Sequence, residues 1–75
     1  MFLKLVKAGE IEVDGRAYLV HYYERRTLRG VPRYSCEVLL GSSDRIILDD
    51  DSMAGLESRM ERLVPATIYS RSIAC

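Results

Sequence analysis

The 75-residue chain has no tryptophan, one phenylalanine, two prolines, one histidine and two cysteines, and its eleven basic residues are matched by eleven acidic ones. Each shortage excludes something. With His21 as the sole histidine, no zinc-ligand spacing exists. Cys36, inside a β-patterned segment, and Cys75, at the last position, make no disulfide framework, which points to a reducing, cytoplasmic setting. A formal net charge of zero and a pI near 6.6 provide no overall field that would draw the chain to nucleic acid or a membrane, so any such attraction must come from a local patch. No apolar run approaches the roughly 20 residues that span a bilayer. The opening Met1-Phe2-Leu3-Lys4-Leu5-Val6-Lys7 is interrupted by lysines and lacks the apolar centre of a signal peptide. There is no glycine-rich phosphate loop, internal repeat or low-complexity segment. The same charge balance removes the repulsion that keeps small domains apart and so favours self-association.

What is present is a sequence able to fold. Hydrophobic residues make up 48% and charged residues 29%, far from the signature of disorder. The length predicts a single domain, residues 1–75, near the lower limit of what one core supports. The clearest local signal is Asp14-Gly15. Both central residues of a tight two-residue hairpin turn need positive φ, which Gly adopts freely and Asp tolerates. The turn predicts Val13 opposite Arg16, Glu12 opposite Ala17, Ile11 opposite Tyr18 and Glu10 opposite Leu19. Ile11, Val13, Tyr18, Val20 and Tyr22 then gather on one face.

The pattern predicts a first strand from Phe2 to Val13, kinked or bulged at Ala8-Gly9, and a second from Arg16 to about Arg26. Thr27 to Arg33 reads as a turn, because Gly30 admits positive φ and Pro32 cannot donate to a ladder. A third strand runs from Tyr34 to Leu40. An odd-length loop before it puts Cys36, Val38 and Leu40 on the face holding Tyr18, Val20 and Tyr22. Gly41-Ser42-Ser43-Asp44 turns into a short strand, Arg45 to Leu48. Met53, Leu56, Met60, Leu63 and Val64 then recur at helical spacing, predicting a helix from about Ser52 to Val64, capped by Asp51 or Ser52 and ended by Pro65. The tail from Ala66 to Cys75 is open to two readings, since Thr67, Ile68 and Tyr69 favour a strand and Pro65 equally suits the start of a second short helix. The extended form is preferred, adding a terminal strand or packing on an edge.

These elements make an α+β fold: a four-stranded antiparallel meander with one helix on one face, ββββα. The element order is similar to that of the plant ethylene-response type of DNA-binding domain and of the arm-binding domain of tyrosine recombinases, which read DNA with the sheet. No signature motif of either is present. No residue role is carried over, because element order speaks to fold and not to function.

Chemistry is concentrated around the second turn. Tyr22, Tyr23, Arg25, Arg26, Arg29, Arg33 and Tyr34 surround one hairpin tip, and this mixture suits either a nucleic-acid strand or a protein partner. Asp49-Asp50-Asp51, with Asp44 and Ser52, could offer oxygens to a divalent cation, but helix capping explains them more simply. The acidic run and the arginine-rich hairpin lie apart in the pattern, and two such patches invite pairing with another copy. His21 and Cys36 form a thiolate-imidazole pair in one loop register only, with no orienting carboxylate. His21 and Tyr23, joined by Leu19 and Leu39, fall opposite the core face, where the single helix cannot reach. The chain is therefore expected to be non-enzymatic, without metal or cofactor. It is expected to self-associate through the open sheet face or the terminal strand, with nucleic acid as the alternative partner and no membrane.

Overall fold

A computed structural model describes residues 3–74; Phe2, expected to open the first strand, and Cys75 lie outside the described residues. The chain forms β1 (Leu3–Val13), β2 (Arg16–Arg26), β3 (Pro32–Leu39), β4 (Arg45–Asp50) and α1 (Met53–Ala74). The strands make one antiparallel sheet in the order β1-β2-β3-β4. This is the expected ββββα arrangement.

Local chemistry sets the register. Asp14 and Gly15 have φ of 53° and 78°, the pair of left-handed residues that matches the twist of the flanking strands. Val13 accordingly faces Arg16, and Glu12, Ile11 and Glu10 face Ala17, Tyr18 and Leu19. Between β2 and β3 the loop has odd length, since Arg26 is opposite Pro32. Thr27 N–H donates to Val31 O at 3.0 Å, and Gly30, at φ 80°, donates to Thr27 O at 2.9 Å. Val20 then faces Val38 and Tyr22 faces Cys36, so apolar residues of both strands share one side. β4 runs two residues beyond the expected Leu48, because Asp49 and Asp50 still pair with Ser35 and Tyr34.

The bulge is not at Ala8-Gly9, where pairing with His21 and Val20 is unbroken; the register shifts between Leu5 and Lys7, leaving Val6 as the extra residue. Because side chains alternate along a strand, one inserted residue exchanges the faces before it. Leu3 and Leu5 therefore stand opposite Arg25 and Tyr23, and Lys7 stands opposite Tyr22. Lys7 is well used there: its ammonium lies 4.8 Å from the centre of the Tyr22 ring and 2.9 Å from Glu57 on α1.

The core lies between α1 and the sheet, and consists of Val20, Tyr22, Cys36, Val38, Ile46, Leu56, Met60 and Val64. Tyr22 keeps its hydroxyl satisfied by donating to Met60 Sδ at 3.4 Å. Ser52 caps α1 by accepting from the Gly55 N–H at 3.0 Å. Asp50 Oδ1 accepts from the Asp51 and Ser52 amides, and its other oxygen lies 3.2 Å from Arg59.

The expected end of the helix is corrected. Pro65 sits inside α1, which continues to Ala74, and there is no terminal strand among the described residues. An interior proline removes one backbone hydrogen bond and costs about 3 kcal/mol in an isolated helix. Tertiary contacts offset this. Leu56, Met60, Val64 and Ile68 repeat every fourth residue, and Ile68 packs against the core beyond the proline. Arg71 also pairs with Asp44 in the β3–β4 turn. Leu63, expected in the apolar stripe, is exposed, because that stripe follows the fourth-residue spacing instead.

α1 lies on β3 and β4. The molecule measures 42 × 23 × 21 Å with a radius of gyration of 13.1 Å, against about 11 Å for a compact chain of this length.

Candidate interaction surface

Two regions carry side chains that the core does not use: the face of the sheet turned away from α1, and the loop between β2 and β3. Directly opposed residues of antiparallel strands share a face, so the pairings define the open face. One row holds Leu5, Tyr23, Ser35 and Asp49, and the next holds Ala8, His21, Glu37 and Ile47. Leu3, Leu5, Leu19 and Ile47 on this face are 55%, 53%, 53% and 61% exposed. Leu3, Tyr23 and Ile47 line one shallow depression of about 310 Å³, and Leu19 and Leu39 line another of about 260 Å³. His21, Tyr23, Leu19 and Leu39 are thus on the side the sequence predicts.

Charges between these apolar residues are paired in the plane of the sheet. Glu37 lies 2.6 Å from Arg45 and 3.9 Å from His21 Nδ1. Asp49 Oδ2 takes Arg33 at 2.5 Å and Arg25 at 3.7 Å, while its buried Oδ1 accepts no hydrogen bond. The hydrogen bond to Asp49 raises the Arg33 guanidinium above its ordinary pKa.

This geometry corrects the separation of acidic run and arginine hairpin expected from the sequence. β4 returns Asp49 to the side of Arg25 and Arg33, so opposite charges meet within one molecule. The other aspartates diverge as well, Asp50 to Arg59 and Asp44 to Arg71. Among the described residues no three His, Cys, Asp or Glu side chains gather as metal ligands.

The seven residues singled out around the tip do not form one surface. Tyr22 is in the core and Tyr34 packs against it from the helix side. Tyr23 is on the open face, its ring edge-on to His21 with centroids 6.4 Å apart. Arg25, Arg26, Arg29 and Arg33 do converge, lining one concavity with Leu28 and Val31. The contribution of Leu28 and Val31 is missed by reading charges and rings alone; their place in a loop too short to bury them is the signal that marks them.

His21 and Cys36 do not meet. His21 is paired with Glu37 on the open face, whereas Cys36 is paired with Tyr22 on the other and is fully buried. Burial pushes the Cys36 thiol above its ordinary pKa, the opposite of what a nucleophile needs.

No family model, curated protein or solved structure matches this chain. Among the described residues no helix is long and apolar enough to cross a membrane.

Proposed function

We propose that this chain is a non-enzymatic interaction module that self-associates, a second copy covering the open face of the sheet. The observation that carries this reading is the set of half-exposed residues Leu3, Leu5, Leu19 and Ile47, spread over several rows of a face with no second layer among the described residues. A domain normally buries a sheet face of this kind against something. The surface area supports it: the chain exposes 5365 Å², whereas a compact monomer of its mass exposes about 4,700 Å². The excess approaches the roughly 800 Å² that each partner buries in a standard interface. Zero net charge leaves little repulsion between copies.

The face is favoured over the sheet edge. β1 is a long edge strand, but the bulge at Val6 interrupts it and Lys4 and Lys7 flank the bulge, two features that discourage strand addition. The terminal strand that would have offered another route is part of α1.

Light scattering on a sizing column tests the reading. The protein should elute at twice its 8.6 kDa chain mass, and Leu5→Glu with Ile47→Glu should return it to one chain mass without loss of helical signal. A monomer at several hundred micromolar would overturn it.

A further inference from the structure

The loop between β2 and β3 suits a ligand of its own. Arg25, Arg26, Arg29 and Arg33 line one open concavity of about 640 Å³, and Leu28 and Val31 complete its wall. The Arg26 and Arg33 guanidinium groups are held by partners within the chain. Arg26 Nη1 donates to Gly30 O at 3.0 Å and its Nη2 lies 3.8 Å from Glu24, while Arg33 is fixed by Asp49. Each guanidinium carries five N–H donors, so these tethers orient the groups and leave donors for a ligand. Arg29 has no ion pair or hydrogen bond among the described residues. Arg25, Arg26 and Arg33 pair with Glu24 and Asp49, and Asp50 and Asp51 also act on Arg33, so the positive charge at this end with no carboxylate beside it is that of Arg29.

The apolar wall decides the class of ligand. Leu28 is the most exposed large hydrophobic residue among those described, at 108%, and Val31 is 51% exposed. Guanidinium forks match phosphate oxygens in pairs. An acidic peptide would meet the charges, but would cover Leu28 and Val31 only if it also carried apolar side chains at the right spacing. A duplex would meet the charges and leave Leu28 and Val31 facing water, with its bases stacked inside. A single strand presents phosphates and bare base faces together.

We propose that this loop is a binding site for single-stranded nucleic acid, with Arg26 and Arg29 on the phosphates and Leu28 and Val31 against the bases. The site meets the open face at Arg25 and Arg33, which share a row with Leu3, whereas Arg26, Leu28, Arg29 and Val31 are outside the apolar rows, so variants at these four positions test the site apart from self-association. Opposed phosphates and guanidiniums release counterions on binding, so the affinity should fall steeply with salt, by a logarithmic slope of about 0.7 for each phosphate engaged.

The test is fluorescence anisotropy of a labelled twelve-residue oligothymidine titrated with the full-length chain from 50 to 200 mM salt. Binding should appear at 50 mM salt, weaken as salt rises, and drop at least tenfold in Arg26→Ala with Arg29→Ala. Leu28→Ser should weaken the oligonucleotide but leave inorganic polyphosphate, which has no bases, unchanged. Light scattering and circular dichroism on the same variants separate loss of the site from loss of fold or of self-association. Absence of binding at 50 mM salt would overturn the proposal. Equal affinity for duplex or polyglutamate, an unaltered double-arginine variant, or binding to phosphatidylserine vesicles in place of the oligonucleotide would do so too.

Discussion

The two faces of this sheet come from the same four strands, one residue apart, and reach opposite ends. On one side Val20, Val38 and Cys36 lose all but a trace of their contact with water. On the other, Leu3, Leu5, Leu19 and Ile47 stay half exposed. The residues differ little in hydrophobicity; what differs is the cover. A helix is about 10 Å across with its side chains, and four strands spaced by about 4.8 Å are wider than that. α1 therefore lies on β3 and β4, reaches β1 through the Lys7–Glu57 pair, and cannot touch the opposite face. In a chain this short, a strand pattern that carries apolar residues on both sides leaves one side without a second layer.

The difference is sharpest in its energetics. Leu56 is fully enclosed by both layers, and Leu56→Ala should cost about 2–5 kcal/mol in chemical denaturation, enough to unfold much of a population with a small domain's stability. Pro65→Ala should act in the other direction. If packing of Val64 and Ile68 holds α1 together through the proline, restoring the missing N–H should raise stability by about 1–3 kcal/mol. A loss of stability on that change would mean that the proline ring itself carries the packing.

The cap at the start of the cover should show in the pH dependence. Hydrogen bonding to Asp51, first through its side chain and then through its amide and that of Ser52, together with Arg59, holds the Asp50 carboxyl below its ordinary value of 3.8. A proton therefore binds more weakly to Asp50 in the folded chain than in the unfolded one. The contribution is complete above pH 3.8 and is lost as pH falls below it, and Asp50→Asn should flatten that part of the denaturation profile. On the open face, Ile47→Ser should change the stability of the dilute, monomeric chain by no more than about 0.5 kcal/mol. A cost like that of Leu56→Ala would show that the face is already buried.

Much of the fold is legible in the residues because local rules agree there. Asp14-Gly15 admits one turn family, and that turn determines the β1–β2 register; matching apolar parity sets the odd loop before β3. The bulge at Val6 is not legible, since Ala8-Gly9 offers a more evident weak point and the advantage of placing Lys7 beside Tyr22 and Glu57 exists only after folding. Nor is the helix beyond Pro65. Local propensity argues for a stop, and the contacts that override it, Ile68 on the core and Arg71 on Asp44, come from distant parts of the chain. The arginine cluster is visible in the sequence. Its division is not: only pairing shows that Tyr22 and Tyr34 turn inward and that β4 delivers Asp49 to Arg25 and Arg33.

The most direct test of the central claim is an isotope-filtered NOE experiment on an equal mixture of labelled and unlabelled protein. Cross-peaks between copies should join the methyl groups of Leu5, Leu19 and Ile47. Inter-chain signals confined to the β1 edge, or none at all at millimolar concentration, would contradict the account.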